Sequence, residues 1–109
     1  MLRTAKQRKE ICKDCPVAKT ADLLGDSFSI LIVRDLLVKP RRFGELETSL
    51  AGVSSRTLCI KLKMLEEEAL IVRKEFKTHP PKVEYTFTRK GEAFHGVVEA
   101  MRAYGKKYL

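Results

Sequence analysis

Three cysteines, two histidines and a dense set of lysines and arginines are the side chains of this 109-residue chain that could do chemistry. The stretch "EICKDCPV", residues 10–17, sets Cys12 three residues before Cys15 and follows Cys15 with Pro16. That spacing fits half a zinc site, a redox pair, one reactive thiol beside a bystander, or no chemistry at all. Zinc needs about four ligands, normally with a second Cys or His pair at matched spacing. Only Cys59, His79 and His95 remain, on three separate predicted elements, so no metal site is expected. A thioredoxin-like pair requires a strand before it and a helix opening at it, and no strand precedes Cys12. Cys15 is then either a small buried hydrophobe or a reactive thiol. The helix start just after it and the flanking Lys13 and Lys19 suit a thiolate, while Asp14 opposes one. Cys12 is a resolving thiol or a bystander. No Ser, His and Asp set, Gly-rich phosphate loop or paired inward carboxylates can be assembled, so neither an enzyme nor a cofactor is expected.

The remaining chemistry is charge. Twenty-two basic against 14 acidic side chains leave +8, which favours a polyanionic partner through phosphate neutralisation, although solubility alone can also account for a basic surface. Three cysteines are too few and too odd in number for a disulfide framework. The opening "MLRTAKQRKE" has no apolar signal segment, and the longest apolar run, "FSILIV", is cut by Arg34 and Asp35, far short of the roughly 20 residues of a membrane span. A cytoplasmic protein without a membrane partner is expected. The length suits one domain, with a basic, fraying lead-in over residues 1–13 and a folded unit over 14–109.

Several elements must position these groups. "CPVAKTADLLG" carries Val17, Ala21 and Leu24 at helical spacing and stops at Gly25, which predicts a short first helix. "DSFSILIVRDLLVKP" predicts a central buried helix with Asp26 or Ser27 as N-cap and Pro40 beyond its end; its apolar pattern is too long for a strand. "RRFGELETSLAG" places Phe43, Leu46 and Leu50 on one side and breaks at Gly52. "VSSRTLCIKLKMLEEEAL" starts a further helix at the Ser54 cap, with Leu58, Leu62, Leu65 and Ala69 on one stripe. Two short helices about a Gly-containing turn make a helix-turn-helix. "LIVRKEF" and "KVEYTFT" alternate as strands around the tip "KTHPP", a hairpin. Thr88 then caps one long helix whose stripe Phe94, Val97, Val98, Met101, Tyr104 and Tyr108 exceeds the need of a small core. That excess suggests a partner helix from a second subunit; packing within its own domain is the alternative.

The expected fold is therefore mainly α with a small β-hairpin, in the order of a winged helix-turn-helix. Such an order docks a recognition helix in the major groove of double-stranded DNA with the hairpin beside it. With the leucine stripe facing inward, Arg56, Cys59, Ile60 and Lys63 form the outward face of the second helix of the pair. Arg56 and Lys63 suit phosphates or guanine edges, unless they are merely solvated, and Ile60 suits a thymine methyl or a protein. Ser54 and Ser55 lie at the start of that helix. Arg41 and Arg42 precede its partner and could clamp a phosphate. The hairpin adds Arg73, Lys74, Lys77, His79 and Lys82, followed by Arg89 and Lys90. Glu66, Glu67 and Glu68 are read as a solvated helix end, or as a run repulsive to DNA, rather than a catalytic acid cluster.

"CPVAKTADLLGDSFSILIVRDLLVKPRRFGELETSL", "LKMLEEEALIVR" and "PPKVEYTFTRKGEAF" together resemble the HxlR-type, MarR-like winged-helix transcriptional regulators of bacteria and archaea, from Cys15 to about Tyr104. The resemblance implies a homodimer built on the first and last helices, with Val17 and Ala21 joining the last-helix stripe at the interface. It also implies two recognition helices on a palindromic operator, repressing or activating transcription. In some members the cysteine before the proline senses electrophiles or oxidants, and it aligns with Cys15; Cys12 and Cys59 are the secondary candidates. The chain departs from the family in having Ser27 and Phe28 in place of Lys-Trp, Ala69 in place of a glycine, and Cys59 and Ile60 at outward positions that are often small and polar. The competing expectations are a winged-helix module for a protein or RNA partner, and a regulator controlled by a small-molecule effector without redox sensing.

Overall fold

Several helices begin where a side chain can accept a backbone N–H that has no partner within the helix. The computed structural model describes residues 15–24 and 26–109; the predicted lead-in, Cys12 and the Gly25 stop lie outside them. Helix α1 is Pro16–Leu24, with proline at the first position, where a missing N–H costs nothing. Helix α2, Ser27–Val38, is capped by the Asp26 carboxylate, which accepts the Ser29 N–H at 3.0 Å. Helix α3 is Phe43–Ser49, and its Glu45 carboxylate reaches back to the Arg42 N–H at 2.8 Å. Helix α4, Ser55–Glu67, is capped by Ser54, whose Oγ accepts the Thr57 N–H at 3.1 Å. Gly52 turns the chain between α3 and α4 at φ +97°, in the left-handed region.

Strands β1, Ile71–Phe76, and β2, Lys82–Phe87, pair antiparallel from Ile71 opposite Phe87 to Phe76 opposite Lys82, so the prolines occupy the tip as predicted. Arg41 adds one rung on the far side of β2. Its N–H donates to the Tyr85 carbonyl at 3.1 Å, and its carbonyl accepts the Tyr85 N–H at 2.8 Å. The wing is thereby tied to the residue that precedes the helix-turn-helix.

The core joins Ile32, Val33 and Leu36 of α2, Leu46 and Leu50, the α4 row Leu58, Leu62 and Leu65, and Leu70, Ile71 and Tyr85 of the wing. The β-branched run read as a helix is one, because its continuation through Leu36 closes this core.

Two expectations need correction. Ala69 is not on the buried stripe of α4: the helix ends at Glu67, Ala69 is exposed at φ +60°, and Leu70 fills the core instead. The predicted long last helix is two helices, α5 at Arg89–Glu92 and α6 at His95–Tyr108. Thr88 caps only α5, through the Gly91 N–H at 3.2 Å. Between them the Phe94 N–H bonds the Gly91 carbonyl three residues back, a tighter turn than an α-helix makes, and Phe94 and Val98 enter the core. Among the described residues no helix is long and apolar enough to cross a membrane.

Candidate nucleic-acid interface

Helix α4 owes its orientation to both of its faces. Inward, Leu58, Leu62 and Leu65 are buried. Lys61 shares that face at only 7% exposure, and its ammonium forms an ion pair with the Asp26 carboxylate. Burial alone would raise the Asp26 pKa, but the hydrogen bonds from Lys61 and from the Ser29 N–H outweigh it and hold the carboxyl below its ordinary value. One carboxylate therefore caps α2 and anchors α4. Sequence reasoning missed this pair. Positions 58, 61, 62 and 65 follow the i, i+3, i+4, i+7 pattern of a buried face, so a lysine there signalled a buried cation, but its partner lies 35 residues upstream.

Outward, Arg56, Cys59, Ile60 and Lys63 are all exposed and form one face, with Ile60 55% accessible. The two serines at the helix start have local work: Ser54 caps the helix, and the Ser55 hydroxyl donates to the Glu47 carboxylate at 2.5 Å, tying α4 to α3. Of the arginines before α3, Arg42 is exposed. Arg41 is drawn inward, its Nε donating to the Asp35 carbonyl at 3.3 Å. Both line a shallow depression with Gly44, Glu45, Thr48 and Ser49. The Arg42 N–H holds the Glu45 carboxyl below its ordinary value, which leaves an anionic group inside the expected phosphate clamp.

The wing contributes Lys77 and His79, exposed at its tip. The Lys74 and Lys82 ammonium groups sit 5.3 and 5.1 Å from the centre of the Phe76 ring, and Lys82 also lies 3.5 Å from the Glu84 carboxylate. The Tyr85 phenol pKa is raised by burial and then by the Glu66 carboxylate, with the nearby Arg73 charge opposing the shift. The Lys90 ammonium donates to the Glu68 carbonyl at 2.9 Å, closing the end of α4. Arg42, Arg56, Lys63, Lys77 and Arg89 are exposed and form no ion pair among the described residues.

Cys15 is exposed at the start of α1, where its Sγ accepts the Ala18 N–H at 3.4 Å, and Cys59 is exposed on α4. Among the described residues no three His, Cys, Asp or Glu side chains are grouped as a metal would require. The residues expected at a subunit interface divide. Val17, Ala21, Val97, Met101, Tyr104 and Tyr108 are exposed, whereas Phe94 and Val98 belong to the chain's own core. Ile30, Leu31, Arg34, Val98, Met101 and Arg102 line a largely apolar groove between α2 and α6.

This geometry matches known proteins along most of the chain. The family model for the HxlR-like helix-turn-helix matches residues 23–109. An HTH-type transcriptional regulator of Synechocystis is 38% identical over 95 residues, spanning 87% of this chain and 70% of the relative. The HTH-type transcriptional regulator YodB of Bacillus subtilis is 34% identical over 95 residues, spanning 86% of this chain and 85% of that one. Among solved structures, the redox regulator HypR in its oxidized form superposes with a TM-score of 0.81 at 27% identity, covering 87% of this chain and 98% of that chain. The reduced form of YodB gives a TM-score of 0.74 at 34% identity, covering 86% and 93%. The chain, a winged helix-turn-helix with a two-stranded wing, belongs to the HxlR-like helix-turn-helix family of transcriptional regulators.

Proposed function

We propose that the protein is a sequence-specific DNA-binding regulator that acts as a homodimer on a palindromic operator. The observation that carries this reading is the exposed face Arg56, Cys59, Ile60 and Lys63, held on a helix whose opposite face is buried and anchored by Lys61. A rigid helix with an outward cationic face is what major-groove readout needs. Lys77 and His79 on the wing tip would meet the backbone beside it. A titration of duplex from the protein's own upstream region tests the proposal. The expected result is affinity that falls steeply with salt yet exceeds that for random duplex. Equal affinity for every duplex would overturn the operator reading and favour an RNA or protein partner for the same face.

The second half of the proposal is thiol control. Cys15 is exposed at a helix start, and the chain shares its fold with redox regulators. An oxidant or quinone is expected to change operator affinity, and Cys15→Ser to abolish that change. A response that persists in the variant would shift the role to Cys59, whose oxidation would block docking directly.

A further inference from the structure

The outward face of α4 carries one group that does not suit a polyanion. Ile60 is the sole large exposed hydrophobic on that helix; the others lie on α1, at the end of α2, on β1, and on α6 with the residue after it. Arg56 stands four residues before Ile60 and Lys63 three after it, so both flank Ile60 on the same helical face. Two cations bracketing one branched apolar group disfavour an apolar protein partner and favour a phosphate-lined surface with an apolar spot on its floor. In the major groove that spot is the 5-methyl group of thymine, the one apolar substituent that a base pair presents there.

We infer that Ile60 reads a thymine methyl in each operator half-site and sets base preference at that position, with Arg56 and Lys63 holding the helix against the backbone or a guanine on either side. This inference rests on the DNA-binding reading above. Burying one methyl against a side chain predicts an effect of about three- to tenfold in affinity.

The test works on an operator of any sequence. The full-length protein selects duplexes from a randomised pool, and each thymine of the enriched sequence is replaced in turn by deoxyuridine, which removes the methyl and leaves pairing unchanged. One position per half-site is expected to lose about three- to tenfold in affinity for the wild type. Ile60→Ala is expected to weaken binding to the thymine duplex by a similar factor and to be indifferent to deoxyuridine at that position. Failure to enrich any duplex would overturn the DNA-binding reading itself. Enrichment without a uracil-sensitive position, or equal sensitivity in Ile60→Ala, would overturn the inference and leave DNA binding intact.

Discussion

Lys61 and Asp26 form an ion pair that holds α4 from its inward side, behind the face proposed to meet DNA. Removing the carboxylate while keeping a capping side chain isolates the pair: Asp26→Asn is expected to lose about 1–3 kcal/mol at neutral pH, measured by chemical denaturation, because Lys61 is left buried without a counter-charge. The sign of the pH dependence follows from the depressed Asp26 pKa. The unfolded chain binds this proton more tightly, so the stabilisation is complete above the unfolded pKa of about 4 and is lost as pH falls through the folded value. Wild type and Asp26→Asn should therefore converge in acid. Ala69 makes the opposite case. At φ +60° its methyl is strained, and Ala69→Gly is expected to stabilise by about 1 kcal/mol, read as a rise of several degrees in Tm. That strain could be anticipated from the sequence through the family's glycine. Which partner Lys61 would find could not, because the pair joins residues distant in sequence. On the outer face, Arg56→Ala and Lys63→Ala should each weaken operator binding and, where the lost contact is to phosphate, reduce the salt slope by about one.

At the scale of elements, the end of α4, the wing and α5 meet around Gly91. A Cβ there would collide with the Leu70 carbonyl oxygen and approach Phe87 Cδ1 to 2.5 Å. Gly91→Ala is expected to destabilise by about 1–3 kcal/mol in denaturant melts, since backbone rather than a flexible side chain must move. The same junction explains why the last helix differs from its sequence pattern. Periodicity through Thr88 and Phe94 is compatible with one continuous helix, and only the packing of α5 against Leu70 and Phe87 shows where it must break. The caps at Asp26 and Ser54 were legible because capping is local chemistry. The inward turn of Arg41 was not, since it depends on pairing with Tyr85, far along the chain.

For the whole molecule, the exposed side chains of Val17 on α1 and of Val97, Met101, Tyr104 and Tyr108 on α6 are proposed to bury against a second copy. Met101→Glu is expected to give monomers in analytical ultracentrifugation and to lower operator affinity, since two half-sites could no longer be held together. Charge belongs to this scale as well. A net +8 promotes encounter with a polyanion, but the local arrangement decides which cations are free to bind it. The sequence by itself determined the helix-turn-helix, the hairpin and the outward face of α4, because these follow from periodicity, turn residues and caps within a few residues of one another. Only the tertiary structure decided that Phe94 and Val98 serve the core, that Arg41 and Lys90 are engaged within the fold, and that Lys61 anchors α4 from behind. Each depends on contacts between distant residues, which local spacing cannot specify.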